Sequence, residues 1–128
     1  MSYHFSKTIE VSFDEAITRV TEALKHEGFG ILTDIDVKAT LDKKLGVAFH
    51  PYRILGACNP EMAYRALQSE SKIGTMLPCN VVVQEQTPGY IEISAVDPVA
   101  SMQAIENPAL GDVATQVRAR LKNVIDSL

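Results

Sequence analysis

Val81-Val82-Val83-Gln84-Glu85-Gln86-Thr87-Pro88-Gly89-Tyr90-Ile91-Glu92-Ile93-Ser94-Ala95-Val96 reads as a β-hairpin. Two apolar, β-branched runs flank Thr87-Pro88-Gly89, and strands joined by so short a turn pair antiparallel. A hairpin late in the chain sets the expectation for the rest: a mainly antiparallel sheet, with the remaining strands added around it and the helices packed on one face.

Upstream of the hairpin, Tyr3 to Val11 alternates apolar and polar residues, the period of a half-buried strand, with Lys7 a misfit on the apolar side. Ser12-Phe13-Asp14-Glu15 is a capping box, and Phe13, Ile17, Val20 and Leu24 form a stripe at helical spacing that stops at Gly28. Phe29 to Thr33 reads as a second strand, with Asp34 and Asp36 both able to cap a short helix carrying Val37, Leu41 and Leu45. Val47 to Ala57 reads as a third strand. Pro51 within it donates no ladder hydrogen bond, so a bulge or an edge position is expected there. Asn59-Pro60 opens a helix that fades near Ser69, and Ser71 to Pro78 reads as a loop pivoting at Gly74.

Downstream, Asp97-Pro98 and Asn107-Pro108 are two more N-cap and proline starts. The second begins the longest helix, whose stripe runs through Leu110, Val113, Val117, Leu121, Val124 and Leu128. The order is β-α-β-α-β-α-β-β-α-α, an α+β fold in one domain spanning residues 1–128. A sheet with helices on one face leaves the other bare, and a second copy of the chain is the expected cover.

Composition narrows the function classes. The 128 residues are 46% hydrophobic and 22% charged, with a formal net charge of −4 from 12 Lys and Arg against 16 Asp and Glu. No basic cluster offers a face to a phosphate backbone, so nucleic acid is not an expected partner. No apolar run reaches the ~20 residues of a membrane span, and nothing at the N-terminus resembles a signal peptide. A cytoplasmic setting with reduced thiols is expected.

Reactive chemistry concentrates in Cys58-Asn59-Pro60 and Pro78-Cys79-Asn80, which hold both cysteines of the chain. If the strands that end at Cys58 and begin at Cys79 pair antiparallel, the two thiols meet. Cys58, Asn59, Cys79 and Asn80 are then candidates for a pocket that takes a small polar or anionic molecule. The helix start at Asn59 would donate N–H groups and favour a thiolate at Cys58. Arg53, alone in an apolar strand, is a further anion-binding candidate, although solvent at a sheet edge explains it equally. The same residues leave two alternatives open: a thiol-dependent enzyme or redox sensor using Cys58 and Cys79, and a structural or interaction protein in which the Cys-Asn turns are core and caps. Two cysteines 21 apart satisfy no zinc or redox spacing, and His50 stands about 26 Å from Cys58 along an extended strand, so no metal is expected. Phosphate-loop, nucleophile-elbow and zinc-protease motifs are absent; no catalytic residue or cofactor is assigned.

Gly28 to Val37, Pro51 to Pro60, Ile73 to Val81 and the Asp97-Pro98 pair together resemble the domain-of-unknown-function family 302. The resemblance covers nearly the whole chain, and the two Cys-Asn motifs are its most specific part. It implies an α+β fold similar to that of the TATA-box-binding protein, usually as a homodimer, and no reaction.

Overall fold

The computed structural model describes residues 2–128. In chain order its elements are β1 (His4–Ile9), α1 (Phe13–His26), β2 (Gly30–Asp36), α2 (Val37–Leu45), β3 (Tyr52–Cys58), α3 (Pro60–Ser69), a 3₁₀ turn (Ile73–Met76), β4 (Cys79–Thr87), β5 (Tyr90–Val96), the single-turn α4 (Pro98–Ser101) and α5 (Pro108–Asp126). The strands form one antiparallel sheet in the order β1-β5-β4-β3-β2. The hairpin lies at its centre, with Val83 opposite Ile93 and Thr87 opposite Tyr90.

Alternation along β3, β4 and β5 sends odd-numbered residues to one face, where Leu55, Val81, Val83, Ile91 and Ile93 are fully buried. Val20 and Leu24 of α1 and Leu121 and Val124 of α5 pack into that core. Each such side chain contributes about 1.5–3 kcal/mol by leaving water. Helix starts follow the polar caps: Ser12, Asp36, Asn59, Asp97 and Asn107 each accept a hydrogen bond from a first-turn backbone N–H. Lys7, the apparent misfit, reaches the C-terminal end of α5 and donates to the carbonyls of Asp126, at 3.3 Å, and Leu128. A cation there meets the negative end of the helix dipole.

Three features differ from the expectation. The third strand starts at Tyr52 rather than Val47 and is internal, between β4 and β2. Pro51 stands just before it and only accepts, from Glu85 N at 2.9 Å, so it needs neither an edge nor a bulge. Bulges lie in the neighbouring strands instead: in β2, Leu32 is the extra residue between Ile31, opposite Ala57, and Thr33, opposite Gly56, and in β4 the register shifts between Gln84, opposite Glu92, and Thr87, opposite Tyr90. Helix α2 buries none of its residues, and Leu45 remains exposed despite the amphipathic spacing. Among the described residues, no helix is long and apolar enough to cross a membrane.

The second face of the sheet is divided. Across the β2, β3 and β4 half runs the row Ile35, Ile54 and Val82; it continues into Ser94 and Ser6 on β5 and β1. The two serine hydroxyls are hydrogen-bonded at 2.7 Å, and Ser6 also meets His4 Nδ1 at 2.7 Å.

Candidate functional site

The register of β3 with β4 places Ala57 opposite Cys79, so Cys58, the next residue, ends its strand beside Cys79 at one end of the sheet, and both residues line one cavity. Immediately after Cys58 the chain turns into α3. Asn59 Oδ1 accepts from Met62 N at 3.2 Å, and Pro60 occupies the first helical position, where its missing N–H is not needed. Asn59 is only 8% exposed, held between this cap and Gly28, where an added Cβ would sit 3.0 Å from Asn59 Nδ2. On the other side of the thiols, Leu77 and Pro78 lead into β4 through a cis peptide bond. Pro78 closes over Gly56, where a Cβ would lie 2.7 Å from Pro78 Cγ and also clash with Thr33 Oγ1.

Above the thiols lies a cavity of about 340 Å³ between α3, α5 and the 3₁₀ turn. Its side walls are short: Ala63 and Ala66 on α3 face Val113, Ala114 and Val117 on α5. Helices that pack through small residues leave a void that longer side chains would have filled. Its rim carries Leu32, the bulge residue, and Leu67, which are 68% and 45% exposed.

Among the described residues, Asn59 is the one wall residue whose side chain bears nitrogen or oxygen; the rest of the lining is hydrocarbon and sulfur. A polar or anionic ligand would leave water for a wall with almost no donors, which disfavours it in this cavity. The depressed Cys58 pKa expected from the helix start is also absent. Burial pushes the Cys58 thiol up, and burial with the neighbouring Cys58 pushes Cys79 up to about 11. Desolvation outweighs the helix terminus, whose effect at such sites is about 0.3–1 kcal/mol.

The remaining candidates lie elsewhere. Asn80 is exposed and lines a separate, smaller recess with Thr75 and Ser101. Arg53 stands at the opposite end of β3 from Cys58, about 17 Å along the strand. It forms a bidentate ion pair with Asp34 across the β2–β3 pairing, with Nε to Oδ1 at 2.9 Å and a shorter contact from Nη2 to Oδ2. Asp34 is thus a partner for Arg53, and Asp36 alone is the helix cap. His50 meets Gln84 at 3.0 Å on the second face, far from the thiols. Among the described residues, no group of three or more His, Cys, Asp and Glu side chains is placed to hold a metal.

Sequence reasoning missed the side walls. Met62, Ala63, Ala66, Met102 and Ala114 were assigned no part in the site, and the available signal was the run of small residues on two helices that meet.

The model of the domain of unknown function DUF302 matches residues 5–128. The chain belongs to the DUF302 family. A crystal structure of an uncharacterized conserved DUF302 protein from Bacillus stearothermophilus is similar over 98% of both chains, at 34% identity and a TM-score of 0.90. No curated protein matches. The DUF302 assignment agrees with the resemblance carried by the Cys-Asn motifs and brings no reaction with it.

Proposed function

We propose that this protein binds a small apolar molecule in the cavity above Cys58 and Cys79. The observation that carries the reading is the cavity itself: about 340 Å³, hydrocarbon-walled, and open past the exposed Leu32 and Leu67. Ligand sites begin at about 300 Å³ and are mostly apolar with a few polar groups that orient the ligand. Here Asn59 and the two thiols supply that polarity, and each Å² of apolar surface removed from water adds about 25 cal/mol.

The test is a titration with the neutral fluorophore N-phenyl-1-naphthylamine, whose emission rises in apolar surroundings. The wild-type chain is expected to bind it saturably. Ala66→Phe, which projects a ring into the cavity, is expected to abolish binding while the protein stays folded. Equal binding by Ala66→Phe, or none by the wild type, would sink the reading. Native mass spectrometry of the protein as purified identifies any resident molecule.

The reading includes a homodimer in the cytoplasm. Ile35, Ile54 and Val82 give the second face an apolar strip, with Val47 and Phe49 exposed on the loop before β3. A second copy is the partner that covers such a strip twice. Sedimentation across micromolar concentrations is expected to show the dimer, and a monomer throughout would refute it. The two free thiols suit a reducing compartment. A thiol-dependent reaction draws less support, since both thiols are pushed away from the thiolate.

A further inference from the structure

Two nitrogen donors with spare N–H groups converge at one end of the apolar cavity. Asn59, a wall residue only 8% exposed, spends its Oδ1 on the α3 cap, and its Nδ2 makes no hydrogen bond among the described residues. No fully buried side-chain nitrogen or oxygen among the described residues lacks a partner, so Nδ2 borders open space and not packed hydrocarbon. Arg120 reaches the same spot from α5: a Cβ on Gly28 would lie 3.0 Å from Asn59 Nδ2 and 3.2 Å from Arg120 Nη1. Arg120 Nη1 donates to the Glu27 carbonyl at 3.3 Å, and among the described residues the guanidinium forms no ion pair. Arg118, by contrast, is paired with Asp97 at 3.1 Å, and the Glu27 carboxylate accepts from Asn123 Nδ2 at 3.3 Å. The cavity runs toward this donor pair. Asn107 Nδ2 at the start of α5 donates to the Ser69 carbonyl at the end of α3, at 2.8 Å, while Asn59 and Arg120 meet at the other ends, so the two helices are antiparallel. Leu110, Val113 and Val117 line the space between, about 10 Å along α5.

We propose that the molecule this cavity takes is an alkyl carboxylate, with its tail along Leu110, Val113 and Val117 and its head held by Asn59 Nδ2 and Arg120. The inference rests on the apolar-ligand reading of the same cavity and adds the head group to it. A guanidinium without a counter-charge, beside an amide N–H without an acceptor, suits a carboxylate, whose charge-assisted hydrogen bonds are about twice as strong as neutral ones. A cationic head would be repelled by Arg120, and an uncharged one would leave the guanidinium unpaired. The hydrocarbon wall excludes an anion from the interior of the cavity but not from its end. Gly28 is exposed and Arg120 half-buried, so the tail leaves water while the head keeps solvent contact. Gly28 serves this arrangement twice. Its φ of +85° suits glycine, and its missing Cβ leaves open the gap between the two donors.

The test is calorimetric titration of the whole chain with octanoate and, separately, with 1-octanol, which has the same length of tail and no charge. Octanoate is expected to bind at least about tenfold more tightly, the worth of one hydrogen bond to a charged group. Arg120→Met, which keeps the apolar stem, is expected to remove that advantage and leave octanol binding unchanged. Asn59→Asp keeps the α3 cap but replaces the donor with an anion, and is expected to weaken octanoate alone. Circular dichroism and retained octanol binding show that each variant is folded, and either variant suffices if the other is not. Octanol binding as tightly as octanoate, or octanoate binding undiminished in Arg120→Met, would overturn the head-group assignment and leave the apolar-ligand reading standing. Failure of both compounds to bind would also overturn the assignment; the fluorophore titration decides separately whether the cavity binds any apolar molecule.

Discussion

Cys79 is 7% exposed, and its surroundings raise its pKa from the ordinary 9.0 to about 11. The folded protein therefore holds this proton more tightly than the unfolded chain does. Below about pH 9 the thiol is protonated in both states and adds nothing pH-dependent. Between about pH 9 and 11 the unfolded chain ionises first, so stability falls as pH rises through that window. The full difference is worth about 3 kcal/mol, at about 1.4 kcal/mol per tenfold change in proton affinity. At about pH 10.5 roughly 2 kcal/mol of it has been lost, and at about pH 8.5 almost none. The perturbation is pH, and Cys79→Ala is the control that removes the group while lysine and tyrosine titrations stay. Urea unfolding at both pH values, in the wild type and in Cys79→Ala, gives the difference of differences. An alkaline loss larger in the wild type by about 2 kcal/mol is expected. Equal losses in both proteins would show that Cys79 ionises freely in the folded state and is not sealed beneath α3 and the 3₁₀ turn.

Timed alkylation of the folded protein near pH 8, resolved by mass spectrometry, is expected to label Cys58 ahead of Cys79, because Cys58 is less buried and less raised; equal rates would contradict the burial order. Leu121→Ala removes a fully buried side chain from the middle of α5 and is expected to cost about 2–5 kcal/mol in chemical denaturation, with a loss under about 1 kcal/mol refuting its place in the core. Gly56→Ala drives a methyl into Thr33 and Pro78 and is expected to destabilise by about 1–3 kcal/mol; Thr33→Ala in the same chain should restore part of that, and simple additivity would show that the contact is not shared.

Local chemistry explains why so much of this fold was legible. The caps at Ser12, Asn59, Asp97 and Asn107 act within three residues, and the hairpin turn acts within a few, so sequence spacing alone locates them. The stripe from Leu110 to Ile125 is buried as its period requires. Long-range choices were not legible in the same way. Pro51 suggested an edge, but the strand that follows it became internal because β2 returns alongside it. Arg53 pairs with Asp34 nineteen residues away, a contact that no local rule anticipates. The closeness of Cys58 and Cys79 followed from strand pairing, whereas the polarity of their surroundings did not. It is set by α5, whose Val113 and Val117 come from a distant part of the chain and close the space with hydrocarbon.

The strand order has a consequence for how the chain acquires its structure. Both edges of the sheet come from the N-terminal third, since β1 and β2 flank three strands made later. Ser6 waits for Ser94, 88 residues downstream, before its strand has any neighbour. During synthesis β1 is therefore an orphan until nearly the whole sheet has been made, and the β3–β4–β5 meander, whose strands are sequential neighbours, is the natural nucleus. A chaperone that shields short amphipathic strands would meet this protein at its first ten residues. A ribosome stalled before β5 would display β1 with no template at all.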